Sequence, residues 1–296
     1  MKKYILLVIF ILAGSLSWYL FIKPHDFQAT FKTKALPGTI NQSIKFWSKS
    51  LKETTSLNQE TLLQVEHHLV FGDSIHIYNW EITPENESES TVKVYVTDPN
   101  NSLKNKLTIP FSETNFEKRT KKTVLDFMTN LKEHVDDFKV EIVGKDETKT
   151  SYCACTTQTT HQIDKAHGMM KDFPLLNGVL AMNNVVLDGR PILEVTEWDR
   201  VNDSISFNFC YPIIKSEQLP KHKEIIYKEL RSKNALKAIY NGNYITSDRA
   251  WYALLEYAKS NNLKTTGLPI EVFYNNPNMG TNEIEWKAEI YMPLKE

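Results

Sequence analysis

Apolar and polar positions change period several times along this chain, and each change marks an expected element. The first pattern has no period at all. From Tyr4 to Ile22 the residues are apolar except for Gly14, Ser15 and Ser17; Lys2 and Lys3 precede the run, and Lys23-Pro24 closes it. About twenty such residues in a helix span the hydrocarbon core of a bilayer. Trp18 and Tyr19 fall near one end, where amphipathic rings favour the interface. Residues 1–25 are therefore expected to form a single-pass transmembrane anchor, with the basic N-terminus in the cytoplasm and the body outside it. A cleaved signal peptide with Ala13-Gly14-Ser15 as its cleavage region is the competing reading. The apolar stretch continues seven residues past Ser15, to Ile22, which favours the anchor. No cysteine lies near the run, which excludes a lipoprotein.

Beyond the anchor the period becomes two. Phe27, Ala29 and Phe31 alternate with Gln28, Thr30 and Lys32, the mark of a half-buried strand. After Pro37-Gly38 the spacing becomes three and four at Ile40, Ile44, Trp47 and Leu51, which predicts a helix begun near Thr39. Strand-like runs follow over 64–71, 74–83, 90–97 and 103–111, separated by turn residues, and predict an antiparallel meander. Val124, Phe127, Met128, Leu131 and Val135 then form the apolar stripe of a longer helix. This order over residues 26–145 resembles the helix-grip arrangement of START/SRPBCC (polyketide-cyclase-like) domains. The resemblance rests on pattern alone and implies a curved sheet closed by the last helix, with room for a second pocket. His67, His68 and His76 lie in two adjacent strands, but neighbours in a strand face opposite sides, so no metal site is expected.

Residues 149–296 contain a repeat. A strand near 150–156, a helix over about 160–171, the run Leu187-Asp188-Gly189-Arg190-Pro191-Ile192-Leu193-Glu194-Val195 and the aromatic strand 205–213 make the first copy. The second has a strand at 236–240, Gly242-Asn243-Tyr244, a helix over about 247–260, Thr266-Gly267-Leu268-Pro269-Ile270-Glu271-Val272-Phe273 and a last strand at 284–294. Each copy carries Gly-x-Pro-Ile ahead of a Glu-Val and ends on Pro plus an aliphatic residue, Pro212-Ile213 and Pro293-Leu294. One βαββ unit cannot cover its own sheet, so two are expected to share a core around a central groove. The predicted fold class is α+β: a transmembrane helix, a helix-grip-like antiparallel domain, and a duplicated βαββ domain with a central cleft.

The ordered set from Tyr240-Asn241-Gly242-Asn243-Tyr244 through Trp251, the Gly267 to Pro277 run and Glu289-Ile290-Tyr291-Met292-Pro293-Leu294 resembles the GyrI-like domain, the effector-binding half of AraC-type and multidrug-sensing regulators. The resemblance implies a ligand cleft between the modules, walled by aromatic rings with an acidic residue at its base. Glu271 matches the motif glutamate and Trp286 an aromatic cleft position. Glu194 is the counterpart of Glu271 in the first copy, with its register displaced by one residue after the proline. Tyr211 is a further candidate for the cleft, and Glu289 is another motif position with solvent exposure as its alternative. Pairing of Glu271 with a nearby Lys or Tyr, in a purely structural role, is the alternative for that residue.

Composition narrows the functions. Basic and acidic residues number 35 and 36, so no basic surface for DNA is expected, and no DNA-reading motif precedes the repeat. Nucleic acid is not an expected partner. Three cysteines are too few for a disulfide scaffold. Cys153 and Cys155 read as buried packing residues that fit no zinc pattern, and a bridge from one of them to Cys210 is open in an oxidising compartment. His161 and His167 follow Cys155, but no convincing catalytic pair or nucleophile motif is present. The expectation is a membrane-anchored binding protein for aromatic or cationic lipophilic molecules, with neither cofactor nor metal. Glu271 as the general base of a hydrolase of small strained molecules, and a groove that accepts a protein partner, are the alternatives.

Overall fold

In the computed structural model, residues 2–280 and 282–295 are described. The chain forms two compact units, Met1–Glu85 with Glu89–Lys132, and Asn86–Ser88 with Glu133–Glu296.

The first unit begins with the apolar helix α1 (Lys2–Ser17), which continues as a π-helical turn over Trp18–Ile22. The stretch Lys3–Ile22 is long and apolar enough to cross a membrane, and none of it is buried. Strand β1 (Phe27–Thr33), helix α2 (Pro37–Ser50), strands β2 (Thr54–Thr61), β3 (Gln64–Phe71), β4 (Ser74–Pro84) and β5 (Ser90–Thr97), and helices α3 (Ser102–Thr108) and α4 (Asn115–Asp136) follow, the last turn of α4 from Glu133 onward counting with the second unit. The five strands form one antiparallel sheet in the order β1-β5-β4-β3-β2. Pro37 opens α2 at a position where its missing N–H costs no helical bond. One face of the sheet is apolar, with Tyr78, Trp80 and Ile82 of β4 alternating inward, and Trp80 meets Phe127 of α4 edge-on at 4.8 Å between centroids. The run 103–111, expected to be a strand, instead holds α3. Leu103 and Leu107 stand one helical turn apart on an exposed face, while Asn105 and Lys106 are buried and the Lys106 ammonium donates to the Lys23 carbonyl at 2.5 Å. Of the expected histidines, His67 and His76 point into this unit and His68 out, as strand alternation requires.

The second unit is an eight-stranded antiparallel sheet with two helices: β6 (Lys139–Glu147), β7 (Ser151–His161), α5 (Lys165–Met182), β8 (Ile192–Asp199), β9 (Ser204–Pro212), β10 (Ile226–Leu230), β11 (Asn234–Asn241), α6 (Arg249–Ser260), β12 (Ile270–Phe273) and β13 (Lys287–Pro293). Strand β6 overlaps the boundary expected between 145 and 149, and it pairs with β11 inside this sheet. The spatial order is β10-β7-β9-β8-β12-β13-β11-β6. Its middle reads the same from either side: β7-β9-β8 of the first βαββ copy mirrors β11-β13-β12 of the second, and the copies meet where β8 pairs with β12. Alternation sorts the two faces. Leu236, Ala238 and Tyr240 of β11 and Ala288, Ile290 and Met292 of β13 point to the helices and form the main core. Cys153, Cys155, Ile192, Cys210, Ile270 and Tyr291 lie on the opposite face. There Cys155 and Cys210, directly paired between β7 and β9, form a disulfide, and Cys153 remains a buried free thiol.

Candidate functional site

A cavity of about 760 Å³ opens on the helix-bearing face of the second unit. Its walls come from both copies. The first copy supplies Ala166, Met169, Met170, Phe173, Pro174 and Asn177 of α5, the loop Gly189-Arg190-Pro191, and Phe209 and Tyr211 of β9. The second supplies Asn243, Tyr244 and Ile245 ahead of α6, Phe273 at the end of β12 with Tyr274 to Pro277 after it, and Trp286 ahead of β13. The aromatic character follows from register. Phe209 and Tyr211 are two apart in β9, so both rings reach the face from which α5 rises, and Phe173 of α5 approaches Tyr211 at 6.3 Å between centroids. Tyr244 packs against Phe273 and Trp286 at 4.8 and 5.6 Å, which fixes the opposite wall. Burial pushes the Tyr211 phenol up to about 12, so it stays a neutral hydrogen-bonding group.

Two of the four expected ligand residues, Tyr211 and Trp286, line this cavity; Glu271 and Glu194 do not. Glu271 is wholly buried, and its carboxylate is saturated. The Lys165 ammonium donates to its two oxygens at 3.0 and 3.1 Å, the Ser247 hydroxyl lies at 3.0 and 2.9 Å, and the Trp251 indole N–H donates at 2.6 Å. Lys165 is wholly buried too, and its ammonium lies 4.9 Å from the centre of the Trp251 ring. Burial pushes the Glu271 carboxyl above the usual carboxylate range, and Lys165 and Ser247 pull against that. The expected acidic base of the cleft is thus an internal ion pair, its oxygens engaged by Lys165, Ser247 and Trp251. Sequence spacing held no sign of Lys165, which lies 106 residues from its partner.

Glu194 is on the other face of the sheet. It stands opposite Ile270 in the β8–β12 pair, whereas Glu271 stands opposite Leu193. Its carboxylate accepts from Lys228 at 2.6 Å and Asn208 at 3.0 Å, with Lys233 at 3.7 Å. Glu289 faces that side as well, between Lys237, Lys287 and Tyr291.

Three lining residues that sequence reasoning missed carry the polar chemistry. Gly189 has φ +156°, and a Cβ there would meet the Pro212 ring at 3.2 Å. The tight loop sets Arg190 over the Tyr274 ring, 3.9 Å from its centroid, where the guanidinium donates to the Tyr274 carbonyl at 2.9 Å. Asn243 accepts from the Ile245 amide at 2.9 Å, and Asn275 accepts from the Lys287 amide at 2.9 Å. The signal for Arg190 was in the repeat itself: Gly189-Arg190-Pro191 carries a charge where Gly267-Leu268-Pro269 carries a leucine.

This arrangement, two βαββ copies with an aromatic hollow between them, defines a small-molecule-binding domain. Residues 139–295 match the family model of the GyrI-like small molecule binding domain, and the chain belongs to that family. The match lies outside residues 26–138 and lends the START/SRPBCC resemblance no support. No curated protein matches the chain. Among solved structures, the EcmrR C-terminal domain is 15% identical over 54% of this chain and 98% of its own, with a TM-score of 0.45. SAV2435 bound to tetraphenylphosphonium is 16% identical over 52% and 94%, with a TM-score of 0.36. A hydrolase from Listeria innocua is 10% identical over 55% and 98%, with a TM-score of 0.32. Likeness at this level carries no functional argument.

Proposed function

We propose that this chain is a membrane-tethered receptor or carrier whose GyrI-like cavity holds one small lipophilic aromatic molecule. The observation that carries this reading is the hollow itself: about 760 Å³, walled by aromatic rings from both copies and by the thioethers of Met169 and Met170, with polar side chains interspersed. That is the composition and size of sites that bury most of a drug-sized ligand. The Lys3–Ile22 helix supports the tether. The Cys155–Cys210 disulfide supports a body outside the cytoplasm, since such bonds persist in oxidising compartments. The cationic part of the expected ligand range has little behind it here, because Glu271 already holds Lys165.

The test is a calorimetric titration of the full chain in nanodiscs with a neutral biaryl, corrected for partition into empty discs. Truncating Trp286 or Tyr211 to Ala should weaken binding about tenfold to a hundredfold, the usual cost of losing an aromatic anchor. Unchanged affinity in both variants would remove the cavity from the reading. For the tether, the chain should resist extraction by alkaline carbonate; release into the soluble fraction counts against it.

A further inference from the structure

We infer that the ligand of this cavity is an aromatic anion, a carboxylate above all, seated with its charged end against Arg190. The inference rests on the reading of the cavity as the ligand site and assigns the charge of what enters it.

Among the described lining residues there is no carboxylate, and Arg190 is the one formally charged side chain. Its guanidinium is held rather than free: the central carbon lies 3.9 Å from the Tyr274 ring centre, and one N–H is committed to the Tyr274 carbonyl at 2.9 Å. A guanidinium has five N–H donors in a rigid fork, so most of that fork remains to engage a planar anion.

The neighbouring carboxamides add to the same polarity. In Asn243 and Asn275 the side-chain oxygen is fixed as an acceptor by a backbone N–H at 2.9 Å. A backbone N–H can only donate, which settles the orientation of each amide and leaves its NH2 as the group to offer. Arg190, Asn243 and Asn275 therefore bring donors to one cavity from three separate loops.

A lipophilic cation would find rings in this cavity, but it would meet Arg190 as a like charge and no carboxylate to offset its lost hydration. Glu271 has its oxygens 3.0 and 3.1 Å from Lys165. An aromatic carboxylate satisfies both parts of the site, the rings through its body and the donors through charge-assisted hydrogen bonds.

The test uses the full chain in phosphatidylcholine nanodiscs, titrated calorimetrically with three molecules of one shape: biphenyl-4-carboxylate, biphenyl-4-carboxamide and biphenyl-4-methylammonium. Empty discs correct each for partition. The acid should bind about tenfold to a hundredfold more tightly than the amide, the range for a hydrogen bond to a charged group, and the ammonium most weakly. Arg190→Gln should remove the acid's advantage over the amide, and an unchanged circular dichroism spectrum and melting temperature show that the variant is folded. Equal or tighter binding of the amide or the ammonium overturns the anion assignment and leaves the cavity reading intact. So does an acid preference that survives in Arg190→Gln. Failure of all three to bind removes the cavity reading and the assignment with it.

Discussion

Glu194 and Glu271 occupy matching places in the two copies, on the adjacent strands where the copies meet, yet they live in opposite environments. The cause is one residue. Pro191 is followed by Ile192-Leu193-Glu194, and Pro269 by Ile270-Glu271. Side chains in a strand alternate, so an added residue turns the whole set over. Glu271 faces the helices, enclosed with Lys165; Glu194 faces the other side, beside the disulfide-bearing cluster, with Lys228 and Lys233 partly open to solvent. A motif match located both glutamates but not their surroundings. What sits around a carboxylate is set by strand parity and by residues far away in the chain.

The largest expected effect is on the enclosed side. Glu271→Ala leaves the Lys165 ammonium buried without its counter-charge and should cost about 3–5 kcal/mol in urea unfolding. Lys165→Met combined with Glu271→Leu should recover much of that loss, because an apolar pair carries no stranded charge. If the single and double variants are equally unstable, the pair is not what couples these positions.

The next effect belongs to the opposite face. Reducing the Cys155–Cys210 bond, which closes a separation of 55 residues, should lower stability by about 2–4 kcal/mol. The comparison predicts near additivity with Glu271→Ala, since the sheet backbone lies between the two clusters. Strong coupling would show that the faces are not independent.

Acid should loosen the Glu271 side. His134 accepts from the Arg249 guanidinium at 3.1 Å at the start of α6, the helix that also carries Trp251. Burial first, and then the Arg249 charge, hold its imidazole down at about 4. The unfolded chain takes this proton below about pH 6.5, and the folded one only near 4. Stability present above pH 6.5 is therefore lost as pH falls through that window, by about 2–3 kcal/mol in all. His134→Gln should flatten this part of a pH–stability curve; an unchanged slope would assign the loss elsewhere, His67 of the first unit being another buried imidazole held at about 4. The smallest effect is expected at Glu194→Ala, about 1 kcal/mol or less, because its lysine partners can return to solvent. A loss matching that of Glu271→Ala would erase the distinction between the two faces.

How much was legible in the sequence follows the same division. Periodicity and repetition were enough for the paired βαββ copies; Tyr211 came from strand alternation and Trp286 from the family resemblance, and the structure places both rings in the cavity wall. For Glu271 a lysine pair was readable as an alternative, but its partners were not, because Lys165, Ser247 and Trp251 come from three other segments and no spacing rule joins them. Asn243 and Asn275 were hidden for a related reason: their meaning depends on which backbone amide holds each oxygen. In the first unit, the run 103–111 was ambiguous on its face, since its apolar residues are few and both periods fit so short a stretch.

The seam between the copies is short: Ile270, Glu271 and Val272 of β12 against Glu194, Leu193 and Ile192 of β8. The hollow straddles that seam, so any occupant braces one half against the other. The temperature at which this domain melts then becomes a gauge of its cargo, with a gain of about 2.7 kcal/mol once the molecule is present at a hundred times its dissociation constant. Heating the protein in extracts of its own surroundings and watching for that gain is a direct way to fish for what it carries.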